Sequence, residues 1–572
     1  MTFQGNSETK TCQNCKASFV IEPEDFEFYE KIKVPPPTFC PSCRFERRLA
    51  WINLFFLYKR PCDLCKKNVM SVYAPDAPYT VYCPKCWWSD KWDSFQYAKE
   101  YDSSRPFLEQ WNELFHVVPL LGLSIDTTTL ENSPYTNDAG NLKNCYFIFH
   151  ANYDEDCAYG FYLLNSKSLL DSSACMQTEQ LYDSMHAWKC SRCIGLRSYV
   201  IESLNSYFLK DCVNCQDCFA CASMKNKKYC IKNTQLTKKE YERERARYDL
   251  GSYTAYKKAE AEAEAFWATQ TPKAEFGDRN VNCRGVHIYD SRNVKDSFQV
   301  NQTEDSRYIQ MIDPVKNSEL YDATGWGDGL SLSYETSTAG TQASEIKFSQ
   351  ECGIGCMDLE YCKIVTESNH CFGCVGMKKG EYSVLNKRYP KEEYEKLVLK
   401  IKDDMNKNPY RDAKGRLYRY GEFFPIELSP HGYNETLAQN FFPLSKNDIE
   451  AQGYRWREEE KREYATTVKA EALPDHIKDA PDSVLKEVIE CAACGKGFKV
   501  IPMELAFLRE MNVPLPRECP QCRIREKFQL WMKNMEQHER VCSRCGKKFL
   551  SKYTEKEVAS VLCGRCYNAE VG

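Results

Sequence analysis

Histidine is scarce in this chain, with eight residues in 572. It has no Gly-rich phosphate loop, no Gly-x-Ser-x-Gly elbow and no His-Glu-x-x-His helix. These absences exclude P-loop phosphoryl transfer, the nucleophile-elbow hydrolases and His-ligated zinc proteolysis. Long apolar runs are also missing. The greasiest stretch, Leu49–Tyr58, is about half the length a membrane span needs and is interrupted by Asn53. Met1–Cys15 holds no apolar signal core, so the sequence reads as a soluble cytoplasmic protein. Asn-Gly dipeptides are absent from the middle of the chain and Gly is sparse there, which argues against a series of tight β-hairpins. A net charge of -4 excludes a strongly polycationic nucleic-acid binder. That charge is uneven: residues 1–100 carry +2, residues 490–572 carry +5, and residues 101–489 carry -11.

Cysteine is abundant, at 32 residues, and much of it is ordered. Cys-x2-Cys pairs stand at Cys12/Cys15, Cys40/Cys43, Cys62/Cys65 and Cys83/Cys86. They stand again at Cys491/Cys494, Cys519/Cys522, Cys542/Cys545 and Cys563/Cys566. In both sets 24 residues separate pairs one and two, and 17 separate pairs three and four. Each such turn aims two thiolates at one point, and two turns close a tetrahedral four-sulfur site suited to Zn2+. Four structural zinc sites are expected, each contributing on the order of 10 kcal/mol to folding. Thiolate sites of this kind belong in a reducing compartment.

Between the first two pairs both copies follow one plan. An apolar strand (Phe19-Val20-Ile21; Phe498–Ile501) leads to a Pro-opened helix at Pro23–Tyr29 and at Pro502–Leu508. A Pro strap (Val34–Pro37; Val513–Pro516) returns to Cys-Pro-x-Cys-Arg. Basic and aromatic residues follow: Arg44, Arg47, Arg48 and Trp51, then Arg523, Arg525, Lys527 and Trp531. Such a helix either grips phosphates and stacks on bases, or serves as an amphipathic connector between ribbons.

Residues 135–235 and 280–390 alternate small or polar positions with Tyr, Phe, Val, Ile, Leu and Cys. Asn, Asp and Ser punctuate them every ten to thirteen residues. This pattern predicts a parallel β-helix, with a sandwich or barrel as the competitor. The middle is itself duplicated: Cys218–Lys225 matches Cys371–Lys378. A capping box at Thr237 and Glu240 opens a helix after the first copy, and a second helix starts near Pro390. Cys212, Cys215, Cys218 and Cys221 form a run that fits stacked core thiols, a further metal site or an iron–sulfur cluster. Two features weigh against the cluster: Ala222 follows Cys221, and Val365 and Ser368 replace two of the thiols in the second copy.

The expected architecture is mainly β with helical caps, a central duplicated parallel β-helix-like solenoid flanked at both ends by tandem four-cysteine zinc ribbons. Its segments are a ribbon module at 1–100, a linker at 101–134 and a first solenoid half with its capping helix at 135–250. An exposed helical linker (251–279) and a second half with its capping helix (280–405) follow. An aromatic and Pro-rich docking segment (406–460), a charged linker (461–489) and a second ribbon module (490–572) complete the chain.

Cys12–Arg44 and Cys491–Arg523 resemble an uncharacterised family of probable zinc-ribbon domains. The middle, through Cys371–Lys378 and Tyr433–Gln439, resembles long zinc-ribbon proteins of small-genome candidate-phylum bacteria. The resemblance implies zinc binding and no activity. The function expected from the residues is non-enzymatic binding of nucleic acid or a ribonucleoprotein such as the ribosome, with Arg44, Arg47, Arg48, Arg523, Arg525 and Lys527 on phosphates. The alternatives are a protein-docking scaffold built on the solenoid, and a polysaccharide-acting β-helix using Asp154, Glu155 and Asp156, or Asp322 with Asp328 near Trp326.

Overall fold

In the computed structural model, residues 7–313, 315–458 and 465–571 are described. The first residues of the expected 461–489 linker lie outside them. The chain divides into two compact units, neither of them contiguous in sequence. One comprises 1–123 with 277–458; the other comprises 124–276 with 459–572. Each therefore contains one ribbon pair and one solenoid, in opposite chain order. No helix among the described residues is long and apolar enough to cross a membrane.

The solenoids are built from triplets. From Asp138 onward a left-handed residue recurs at every third position, for example Asn141, Asn144, Phe147, His150 and Tyr153. The chain then returns to register after twelve residues, as in Ile148 over Gly160, Leu169 over Leu181 and Cys218 over Cys230. Each rung thus has four short sides, and each side points one residue in and one out before turning. Asn and Asp tolerate the left-handed corner best, which explains the polar punctuation in the sequence. The unit containing 277–458 has longer rungs in places, with Leu320 over Ser333 and Ile346 over Leu359, thirteen residues apart.

The interior is narrow, and small hydrogen-bonding side chains fill it. The Cys212 thiol donates to the Lys210 carbonyl at 3.3 Å and to the Cys221 carbonyl at 3.7 Å. Ser166 does the same with Leu164 and Cys175 at 3.1 and 3.4 Å. Serine and cysteine are thus interchangeable donors to the carbonyls lining the lumen. A Cys-x2-Cys-x2-Cys-x2-Cys run is simply one rung with a thiol on each of its four sides.

Helices close faces of each solenoid. Thr237 and Glu240 form the expected capping box on Lys238–Arg245. Tyr253–Trp267, expected as an exposed bridge, instead buries Tyr256, Ala259, Ala263 and Trp267 within its unit. Residues 101–134, expected as a linker, contain the helix Phe107–Val117. Its Trp111 stacks on Phe424 at 4.2 Å, so the Tyr420–Pro425 segment joins the same core.

Candidate metal centres

Each ribbon pairs a strand-borne turn with a helix-borne one. Cys12 follows the Glu8–Thr11 strand, which pairs antiparallel with Ser18–Ile21. The Lys16 N–H returns to the Cys12 carbonyl at 3.1 Å, and Lys16 adopts a left-handed φ of 63°. Lys66, Gly495 and Gly546 hold the corresponding position in the other three ribbons, all with positive φ. Glycine is strain-free there, and the two lysines adopt the same conformation at a modest cost. The second turn of each ribbon opens a helix. Cys40, Cys83 and Cys519 are N-caps with Pro at the first helical position. Cys563 precedes the helix Gly564–Val571. Free N–H groups at these helix starts favour thiolate.

The four turns at each end close into two clusters. Cys12, Cys15, Cys40 and Cys43 come together, as do Cys62, Cys65, Cys83 and Cys86. At the other end the groups are Cys491, Cys494, Cys519 and Cys522, and Cys542, Cys545, Cys563 and Cys566. Within each cluster the sulfurs lie within 4.8 Å of one another, and none is in a disulfide. The S···S separations are 3.7 Å for Cys15–Cys40, 3.8 Å for Cys494–Cys519 and 3.6 Å for Cys545–Cys563. A tetrahedron with Zn–S bonds of about 2.3 Å has edges of about 3.8 Å. The donor set and geometry fit four closed zinc sites.

The first sulfur of each cluster is prepared as thiolate. The Cys40 N–H donates to Cys12 at 3.3 Å, Cys83 to Cys62 at 3.3 Å, and Cys519 to Cys491 at 3.2 Å. Burial opposes ionisation at Cys62, but the N–H groups of Cys65, Cys83 and Leu64 outweigh it and bring the thiol to about 7. The same balance puts Cys491 at about 7 and Cys542 at about 6. Hydrogen bonds from the Cys40 and Cys43 thiols hold Cys12 lower still. In the solenoid interior, burial instead pushes Cys193 and Cys221 well above the usual thiol range. Among the described residues, the Cys212, Cys215, Cys218 and Cys221 rung does not gather to ligand distance. Its geometry supports core packing rather than a further metal or an iron–sulfur cluster.

All but one of the basic residues after the second turns lie where phosphate could not reach them. Arg44 is 1% exposed and Arg48 is fully buried. Arg44 pairs with Asp322 at 2.8 Å, Arg48 with the same carboxylate at 3.1 Å, and Arg47 with Glu335 and Glu422 at 2.6 and 3.0 Å. The other unit repeats the device. Buried Arg523 pairs with Asp171 and, at 2.8 Å, with Glu504, while buried Lys527 pairs with Asp183. Five of the six expected phosphate contacts are therefore bolts between ribbon and solenoid. The sixth, Arg525, is exposed and donates to Cys522 Sγ at 3.2 Å. Asp322, a candidate for sugar chemistry, is consumed by the same network. Nothing local in the sequence marks Asp171, Asp183, Glu335, Glu422, Glu504 or Asp322 as the partners of these cations. Their one signal is position: Asp322 and Asp171 both take left-handed corners.

No model of a known protein family matches the chain, and a search of curated proteins finds none similar to it. The zinc-ribbon resemblance accordingly rests on the residues of the Cys12–Arg44 and Cys491–Arg523 segments alone.

Proposed function

We propose that this chain is a non-enzymatic, zinc-built scaffold of a reducing cytoplasmic compartment, whose solenoid faces bind protein partners while the ribbons clamp the solenoids. The observation that carries this reading is the burial of Arg44, Arg47, Arg48, Arg523 and Lys527 against solenoid carboxylates. Metal loading supports it as well. Each four-thiolate zinc centre carries a formal -2, so filling four of them takes the chain from -4 to -12. A body so charged is repelled by a phosphate backbone unless free cations are gathered on one surface.

Nucleic-acid or ribosome binding keeps one supporting observation. Exposed Lys16, Lys66, Lys67, Lys547 and Lys548 crowd the first turns of the ribbons. They stand beside thiolates, however, where they offset the charge of the metal centres. The test is titration of the zinc-loaded protein with labelled RNA and duplex DNA at low and physiological salt. The scaffold reading expects no salt-steep binding. Tight binding whose log K falls by about one unit per phosphate contact with log salt, and which weakens on changing Lys66, Lys67 and Lys548 to Glu, would overturn it.

A further inference from the structure

Most outward faces of the 124–276 solenoid are either covered or charged. Leu170, Tyr182, Ile194 and Phe219 are at most 8% exposed on the side that receives helices. The side bearing Lys143, Glu155 and Lys167 is solvated, with Glu155 bridging both lysines at 3.3 and 3.1 Å. One face is neither. Leu164, Met176, Trp188, Ile201 and Val213 stack outward on successive rungs, each in register with the next. Their inward neighbours Cys175, Ala187 and Val200 are buried, but they themselves are only half-buried. The Trp188 ring has no aromatic partner among the described residues.

The other solenoid treats its corresponding face differently. There Gly340 and Gly353 lie under the Trp326 indole, whose atoms come within 2.7 Å of where a Cβ would stand. An indole of the same chain closes that face. In the 124–276 solenoid five apolar side chains are left uncovered instead.

We infer that this Leu164–Val213 face is where a second copy of the chain docks, antiparallel, about a two-fold axis along the strands between Trp188 and Ile201. The corner column beside the stripe is complementary to itself under that operation. Exposed Lys189 and Glu202 stand on adjacent rungs, 3.8 Å apart within one copy. The axis lays Lys189 of each copy against Glu202 of the other. It also sets Gln177 against Asn214 and Asn165 against Asn226, so amide meets amide. On the stripe itself Trp188 meets Ile201, Met176 meets Val213, and Leu164 meets the stem of Lys225, which follows Val213 on the next rung. A self-complementary patch of this kind is what a closed two-fold dimer requires. The column holds one positive and one negative charge, so it attracts neither a strongly basic nor a strongly acidic partner. With Lys225 as the one further charge on the stripe, it also provides a weakly charged face on a chain that repels its own copies when zinc-loaded.

Five rungs at about 4.8 Å span about 19 Å, which places the interface at the small end of specific contacts and the dimer in the micromolar range. The inference goes beyond the scaffold reading and does not depend on it. Sedimentation velocity of the zinc-loaded full chain between about 1 and 100 µM should show monomer passing to dimer. Trp188→Glu should leave monomer throughout. Lys189→Glu should weaken dimerisation at least tenfold, and the exchange Lys189→Glu with Glu202→Lys should restore it to within about threefold. Lys189 and Glu202 are exposed, so the charge variants test the interface even if Trp188→Glu folds poorly. A monomer across the whole range, a dimer indifferent to the charge variants, or an exchange that fails to restore association would each overturn the inference.

Discussion

Changing Asp322 to Ala should destabilise one half of the molecule and spare the other. Asp322 is fully buried and receives two guanidinium groups, Arg44 at 2.8 Å and Arg48 at 3.1 Å. Glu335 and Glu422 supply the remaining negative charge, chiefly to Arg47. Three cations therefore face three anions, all of them buried. Removing one anion leaves a net buried positive charge. Breaking a buried pair in this way costs about 3–5 kcal/mol, far more than the pair adds over a well-packed apolar replacement. In a unit of this size that corresponds to a midpoint lowered by about 5–8 °C. The assay is thermal or urea unfolding of the zinc-loaded chain, followed by tryptophan fluorescence. Trp51, Trp87 and Trp111 report on the unit containing Asp322, all buried, while Trp531 reports on the other. The transition carrying the first three should fall and the other should hold. Asp328→Ala, on the same solenoid but only half-buried, should shift nothing beyond about 0.5 kcal/mol. A loss under about 1 kcal/mol for Asp322→Ala would refute the view that these arginines bolt ribbon to solenoid, and would reopen their availability to phosphate.

Two further outcomes follow from the same geometry. Purified protein should carry four zinc per chain by elemental analysis. Cys12→Ser should reduce this to three, whereas Cys215→Ser should leave it at four, because an interior hydroxyl keeps the same carbonyl bonds. Asp154 is an inward-facing carboxyl that burial pushes up to about 7 from an ordinary 3.8, with backbone hydrogen bonds from Ser166 and Asn152 opposing the shift. Its folded form holds a proton that the unfolded chain releases, so its contribution to stability falls as pH rises from about 4 to 7. Asp154→Ser, which copies Ser166 one rung on, should therefore stabilise the 124–276 unit at pH 8 by a few kcal/mol and leave it unchanged near pH 4. Equal effects at both pH values would exclude this account.

The metal centres were legible because their chemistry is local: Cys-x2-Cys at matched spacings, a Pro-opened helix, and a strap back to the second turn. The solenoid was legible as a class, since parallel rungs impose a period. The triplet geometry was not, because left-handed corners accept Phe147, His150 and Tyr159 as well as Asn, and stacking rather than propensity holds them there. The helix Phe107–Val117 did leave a signal, in the apolar spacing of Phe107, Leu108, Trp111, Leu114 and Phe115. The short length of that run among polar neighbours hid it. The basic helices misled for a physical reason. An arginine row reads identically whether it meets phosphate or carboxylate, and the solenoid carboxylates lie far off in sequence, about 270 to 290 residues after the first basic helix and about 340 to 350 residues before the second. Which ribbon pair clamps which solenoid is a long-range choice that no local pattern records.

That choice has a consequence during synthesis. The N-terminal ribbons belong with residues 277–458, and the solenoid made next belongs with residues 459–572. At about 5–20 residues per second, the first ribbons wait on the order of 15–60 s for their solenoid to emerge. Throughout that wait Arg44, Arg47 and Arg48 have no carboxylates, and the first solenoid's apolar side has no ribbon. Early zinc capture gives the waiting ribbons a finished core. A shortage of zinc would therefore be felt first on the ribosome, as nascent chains that clamp the wrong solenoid or the solenoid of a neighbouring chain.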